Sequence, residues 1–386
     1  MNEVVISGIG LVIPDGVSIE NPGYGHTTPE TVQDPMLPDA TPYQGIGLPD
    51  LDLETYIPKK ADRKAMTAQF LAGCYAAGAA LLDANVDEHS LSKCAIFAAS
   101  DFPDRDPRAE AKVFEHFQQS FDSETEELLI NQLLGGLRPT AFLSRIPNLL
   151  AANISIVHAL TGSSRTFVGG VLGGTAALEQ ACAEILRGDS DILVTGGSIV
   201  GTRFELLRKI YAQKQAGGSE LDPLWQRSNQ MVVGSAAVFL VLESKEHADK
   251  RGASSLATLK PHARFRTTRE NHAAQLQNHL EQLTGPQPVM CNYSGAFWSA
   301  LERNVWEKIA KERSVISSAS FFGSCMEVDV FVQVALATRG LLGASEFVDT
   351  DGLGSEHLHT WRQTHSALIA STGPTGSGSI FSVTKL

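Results

Sequence analysis

Apolar residues fall into short unbroken runs separated by helical stretches, the pattern of strands covered on both faces. The first run, Val4 to Ile13, reads as a buried strand that stops at Pro14. Residues 15–60 are rich in Pro, Gly, Asp and Thr and read as surface loops. An Ala- and Leu-rich helix is expected from Asp62 to Asp83, then a strand from Cys94 to Ser100. Helical signals resume over residues 108–137, and an apolar helix spans Ile146 to Leu160 with Pro147 in its first turn.

Residues 165–197 carry the sharpest pattern. A strand from Arg165 to Gly170 leads into a glycine-rich corner at Val171-Leu172-Gly173-Gly174. A helix from Thr175 to Gly188 follows, and then a second buried strand from Asp191 to Gly197. Two apolar strands flanking a helix make a βαβ crossover, the unit of a parallel sheet covered on both faces. A further strand is expected at Ala236 to Leu242 and a charged helix at Ser244 to Arg251. Beyond it the theme repeats more weakly, with strands at 256–259, 289–292, 315–318, 367–370 and 379–383 and helices at 298–312 and 326–339. No linker-like stretch separates the parts. Two α/β halves, 1–245 and 246–386, are expected to form one inseparable unit.

Composition narrows the function classes. With 386 residues, 43% of them hydrophobic and 19% charged, the chain can bury a large interior. The formal charge of −12, from 31 Lys+Arg against 43 Asp+Glu, argues against nucleic acid or an anionic membrane surface as the main partner. No apolar run approaches the roughly 18 residues of a membrane span, and no basic region precedes a long apolar segment, so no span or signal peptide is expected and the location reads as cytoplasmic. Cys74, Cys94, Cys182, Cys291 and Cys325 are odd in number and lack metal-ligand spacing. They read as reduced thiols, with neither a metal nor a cofactor implied. His357 and His359 stand two apart, but an exposed polar loop is the favoured reading over a metal pair.

Several blocks together resemble the ketosynthase branch of the thiolase fold over nearly the whole chain. They are the opening Val4-Val5-Ile6-Ser7-Gly8-Ile9-Gly10 run, the Asp62-Arg63 helix start, and Asn148-Leu149-Leu150-Ala151-Ala152 leading to Leu160-Thr161-Gly162-Ser163-Ser164. The last is Glu184-Ile185-Leu186-Arg187-Gly188-Asp189-Ser190-Asp191 running on to Gly196-Gly197. The resemblance implies an α/β, thiolase-like fold with two pseudo-repeated halves in a layered αβαβα architecture. It also implies a site made of a Cys nucleophile at a strand-to-helix elbow, two His donors and a supporting Lys. Aligned through Gly162 and Gly174, the nucleophile position holds Val171. Asn292 takes the place of the first His, Ala319 that of the Lys and Ser324 that of the second His. The glycine-rich gating loop is altered to Ser371-Thr372-Gly373-Pro374-Thr375-Gly376-Ser377-Gly378. Cys291 and Cys325 flank the altered site, and their expected role is to fill core space.

A valine cannot form an acyl-enzyme, and losing such a nucleophile typically costs about 10⁶ in rate. The chain therefore resembles the non-catalytic chain-length factor (ketosynthase-β) subunits of bacterial type II polyketide systems, with the aryl-polyene type fitting best. Such a subunit pairs with an active ketosynthase as a heterodimer, reaches acyl carrier protein through that partner, and shapes the tunnel for the growing chain. The expected tunnel and interface residues are Ala141, Phe142, Leu143, Asn148, Arg165, Thr166, Phe167 and Val168. Lys59, Lys60, Arg63, Lys64, Arg203, Arg208, Lys209 and Lys214 are the candidates for a local basic patch on an otherwise acidic chain. The alternative is a stand-alone thiolase-fold enzyme with altered acyl-transfer chemistry and a nucleophile not identified in the sequence.

Overall fold

The computed structural model describes residues 3–14, 28–33, 42–100, 126–127, 130–131, 146–213, 231–283, 285–292, 296–343 and 364–386. Strand β1 (Val4–Val12) is buried along its whole length, and β2 (Glu30–Val32) and β3 (Tyr43–Gly45) form a small antiparallel ribbon. The helix expected over 62–83 is two helices, α1 (Lys60–Ala65) and α2 (Ala68–Asp83). The break falls at Thr67, whose extended backbone and side-chain oxygen, accepting from the Phe70 N–H, restart the helix. After the short α3 (Glu88–Leu91) come β4 (Ala95–Ala99), α4 (Leu149–His158) and β5 (Ser164–Phe167). Helix α4 is shorter than expected, because Pro147 and Asn148 lie in the preceding turn and Ala159 closes it in a left-handed conformation. Most of 108–137 lies outside the described residues.

The turn into the next helix differs from the sequence expectation. Gly169 and Gly170, with φ of 138° and 56°, make the corner, and α5 (Val171–Arg187) already includes Val171 to Gly174. Positive φ suits glycine, so the corner sits at the first Gly-Gly pair. The second pair serves packing instead: a Cβ on Gly174 would drive into the Glu327 carbonyl oxygen. Strand β6 (Ile192–Ile199), α6 (Phe204–Ala212), β7 (Ala236–Ser244) and α7 (Lys245–Arg251) follow.

Strand β8 (Ala257–Arg266) runs well past the expected Leu259, through Pro261, because the register against its neighbour shifts there as a bulge that tolerates proline. Next come α8 (His272–Gln282), β9 (Val289–Cys291), α9 (Ala296–Ile309), β10 (Val315–Ser317) and α10 (Ala319–Phe322). The helix expected at 326–339 opens as a 3₁₀ turn, Met326–Val328, before α11 (Asp329–Leu341). A hairpin of β11 (Ser366–Thr372) and β12 (Ser377–Lys385) ends the chain.

Ten strands hydrogen-bond in the order β10-β9-β11-β12-β8-β1-β7-β6-β4-β5. One arrangement occurs twice. β1-β7-β6 are antiparallel neighbours and β6-β4-β5 parallel ones, and β8-β12-β11 and β11-β9-β10 repeat that order and sense. Among the described residues the two sets of strands pair through Val5–Thr258 and Ile6–Ala257, between β1 and β8. Helices α5 and α11 touch strands of both sets and each other, and so form the middle layer. Helix α2 covers β1, β7 and β6 from outside. On the far side α8 and α9 send Leu276, Leu280, Val305 and Trp306 into the core cluster that holds Val289 and Val315. The result is the α/β fold of two pseudo-repeated halves, layered helix, sheet, helix, sheet, helix.

The tight seam between α5 and the 326–328 turn makes a direct test. Gly174→Ala is expected to destabilise the fold by about 1–3 kcal/mol or more, since the obstacle is backbone rather than a movable side chain. Gly173→Ala, whose nearest obstruction is 3.1 Å away, should cost less. Chemical denaturation of both variants measures the difference.

Candidate functional site

Val171 is the first residue of α5, directly after the positive-φ glycine corner, and is buried. The hairpin tip between β11 and β12 lies against it: a Cβ built on Gly373 would stand 3.4 Å from the Val171 Cβ. Beside the hairpin, at the end of β9, the fully buried Asn292 pairs with the backbone of Thr372. Its Nδ2 donates to the Thr372 carbonyl at 2.9 Å, and its Oδ1 accepts the Thr372 N–H at 2.9 Å. That Nδ2 also donates to Asp329 Oδ2 at 3.3 Å.

Asp329 is the hub of the site. Its Oδ2 also accepts from Ser324 Oγ at 3.3 Å, and its Oδ1 accepts the Cys325 N–H at 2.7 Å. Burial of this carboxyl pushes its pKa up to about 7, against the opposing pull of the Cys325 N–H, Asn292 and Ser324. The loop that carries Ser324 is pinned separately: the Ser324 N–H donates to Val232 O at 2.8 Å, and Gly234 N–H donates to Ser324 O at 2.9 Å. Met326 holds a left-handed φ of 50°, a conformation a non-glycine residue keeps only where its surroundings impose it.

Asn292 and Ser324, distant in sequence, thus meet on one carboxylate, and Val171 reaches the same neighbourhood through the hairpin. Ala319 opens α10 and is fully buried. Cys325 is buried next to Asp329. Desolvation, with Asp329 and Glu327 adding to it, raises its pKa well above the ordinary thiol value, which leaves little thiolate. All five cysteines are buried and unbridged.

The expected interface residues are spread over an edge and beyond it. β5 is the last strand of the sheet order, hydrogen-bonded to β4 on one side. Arg165 stacks over Phe97 at 4.8 Å and pairs with Glu184 at 2.5 Å, Thr166 and Phe167 are half-buried, and Val168 is 58% exposed. Asn148 stands just before α4 without capping it through its side chain. Ala141, Phe142 and Leu143 lie outside the described residues, as do Lys214, His357 and His359. Arg203 does not belong to a basic surface: its side chain is 9% exposed and is turned toward Glu205 and Gln69.

Two features escaped sequence reasoning. Asp329 had one available signal, a lone carboxylate inside the apolar run Val328-Asp329-Val330-Phe331-Val332. The buried Thr267, His272 and Glu302, linked to one another and to Thr372, had none, because they come from separate segments that only the fold assembles.

A neutral Asp329 is the form the folded state favours, so its stabilisation is complete below a pH of about 4 and is lost as pH rises through about 7. The wild-type chain is therefore expected to lose on the order of 4 kcal/mol more than Asp329→Asn across that window. Urea midpoints measured on both proteins from pH 4 to 8 check this, with two flat or parallel profiles as the contrary outcome.

Comparison with known proteins agrees with this geometry. Residues 44–248 match the family model "Beta-ketoacyl synthase, N-terminal domain", more than half of the chain. Nodulation protein E of Rhizobium leguminosarum bv. trifolii is 30% identical over 112 residues, 29% of this chain and 28% of that protein. The 3-oxoacyl-[acyl-carrier-protein] synthase 2 of Rhizobium meliloti (strain 1021) is 30% identical over 130 residues, 31% of this chain and 30% of that protein. The aligned stretches thus span under a third of those relatives' length. Among solved structures, a β-ketoacyl synthase from Burkholderia phymatum STM815 superposes with a TM-score of 0.76 at 16% identity, covering 100% of both chains. The ishigamide ketosynthase/chain length factor gives 0.74 at 15% identity, covering 100% of this chain and 99% of that one. A type II PKS acyl-carrier protein in complex with its ketosynthase gives 0.72 at 19% identity, covering 100% of both. At such identities the superpositions speak for the fold, and the family model speaks for descent: the chain belongs to the β-ketoacyl synthase family.

Proposed function

We propose that this chain is a ketosynthase-like subunit with no condensing activity of its own, which pairs with an active ketosynthase and helps to set the length of a polyketide or polyene chain. One observation carries the reading. Where condensation needs a thiolate and two donors, the chain has Val171, Asn292 and Ser324, and the last two are engaged by Asp329. Cys325, the thiol adjoining Ser324, is buried with a raised pKa and makes a poor substitute.

The outer edge of β5 supports pairing with a second subunit. Among the described residues no strand pairs with that edge, an unpaired edge is a template for another chain, and Ile156, Val168 and Leu172 on the adjoining elements are 69%, 58% and 36% exposed. On this reading Arg165 to Val168 and the adjoining α4 meet the ketosynthase, and Ala141, Phe142 and Leu143 face its acyl tunnel. Carrier protein is met through the partner, in the cytoplasm, and an aryl-polyene type of product is the favoured one. Two of the superposed structures are described as a ketosynthase/chain length factor and as a carrier protein with its ketosynthase, which makes those partners the ones to try first. Among the described residues no helix is long and apolar enough to cross a membrane.

Three outcomes are expected. Incubated alone with malonyl carrier protein, the chain should gain no acyl mass in intact-mass spectrometry, and Val171→Cys should not start turnover; an adduct on any residue would favour the stand-alone enzyme instead. Co-expressed with a cognate ketosynthase, it should elute as a heterodimer by light scattering, whereas a stable monomer in the presence of that partner would contradict the pairing. In the reconstituted pair, Phe142→Ala or Leu143→Ala should lengthen or broaden the product distribution and Ala141→Phe should shorten it, as read by product mass.

A further inference from the structure

The hairpin tip over Val171, residues 373–376, has two sets of hydrogen bonds. One set lies within it, from Gly373 N–H to Ser377 O at 2.8 Å and from Gly376 N–H to Gly373 O at 3.1 Å, and sets the shape of the turn. The other set leaves it and decides where the turn lies. At the first foot, Thr372 Oγ1 donates to Glu302 Oε2 at 3.4 Å. At the tip, Trp298 Nε1 donates to Pro374 O at 2.6 Å. At the second foot, Gly376 O accepts from Thr267 twice, from N–H and from Oγ1, both at 2.8 Å.

Behind the hairpin these anchors are joined to one another. Thr267 Oγ1 lies 2.7 Å from His272 Nδ1, and His272 Nε2 lies 2.7 Å from Glu302 Oε1. Trp306 Nε1 donates to Glu302 Oε2 at 3.2 Å, and the His272 ring packs edge-on against Trp298 at 4.7 Å. The path Thr372–Glu302–His272–Thr267–Gly376 is therefore a closed circuit from one foot of the hairpin to the other. His272 and Glu302 are fully buried, so water does not compete for these bonds. Burying such groups is costly unless their partners are in place, which ties the circuit to one position of the hairpin.

We infer that the β11–β12 hairpin is a strap, fastened by the Thr267–His272–Glu302–Thr372 circuit and by Trp298, that keeps the N-terminus of α5 covered. The strap needs no partner subunit, so it stands or falls separately from the proposed pairing. A hairpin free to swing would expose residue 171 repeatedly. A strapped one exposes it only when the circuit opens.

A thiol placed under the strap reports on this. In the full-length Val171→Cys chain the five native cysteines are buried, and iodoacetamide labelling of the introduced thiol, located by peptide mass, is expected to run about a hundredfold slower than in the urea-unfolded chain. Adding Thr267→Val, Glu302→Gln or Trp298→Phe should speed that labelling roughly tenfold each, with circular dichroism showing the folded spectrum. Trp298→Phe keeps an aromatic ring and removes one donor at the rim, so it remains informative if Glu302→Gln fails to fold. Labelling of Val171→Cys at the unfolded rate would overturn the strap, and so would folded strap variants that label no faster than their parent.

Discussion

Two sheets share a single middle layer of helices, and this enclosure governs the rest. Every residue of α11 is buried, so a polar atom there must find its partner inside the protein. Its ionisable groups sit at its two ends and both do so: Asp329 gathers Asn292, Ser324 and the Cys325 N–H, and Arg339 reaches Asp83 at 3.3 Å. Between them Gln333 Nε2 donates to Ala370 O at 3.3 Å, while its Oε1 is buried with no hydrogen-bond partner among the described residues. The demand for closeness falls on α5 as well, which gives up a side chain at Gly174 so that the turn bearing Glu327 can approach.

The cluster around Asp329 is a knot of internal satisfaction. Each donor faces an acceptor of the protein: Asn292 divides itself between Thr372 and Asp329, and Ser324 points at the same carboxylate. What this geometry does well is hold three chain segments, the end of β9, the start of α11 and the foot of the last hairpin, in a fixed relation. A preorganised array of this kind stabilises an oxyanion when its donors point into open space. Here they point at one another, and Val171 fills the position at the head of α5.

The strands were the most legible part of the sequence, because runs such as Val4 to Val12, broken only by Ser7 and two glycines, and Ala236 to Leu242 are largely apolar, and burial on both faces leaves that signature. The doubling of the strand order was foreshadowed only by the weak recurrence of such runs after residue 245. Boundaries slipped where a single side chain or dihedral decides. Thr67 restarts a helix, Gly169 and Gly170 rather than Gly173 and Gly174 turn the chain, and a bulge lets Pro261 stand within β8. Of the site, Val171, Asn292, Ala319 and Ser324 are the positions that local motifs single out through the family resemblance. The carboxylate that joins two of them left only the trace of a lone Asp329 in an apolar run, since its partners meet it only once β9 and the 318–325 segment are folded against it. The same holds for His272 and Glu302, thirty residues apart and silent until the fold sets them 2.7 Å apart.

The open edge of β5 has a consequence for how such a chain is produced. Among the described residues no strand pairs with its outer side, and Ile156, Val168 and Leu172 stand exposed on the adjoining elements, a surface that invites pairing for as long as nothing covers it. Molecules synthesised in excess of a covering chain would offer that edge to each other and to chaperones, in proportion to the surplus. On the proposed pairing, the supply of the covering chain, more than folding stability, would then limit how much of this protein a cell can hold in usable form.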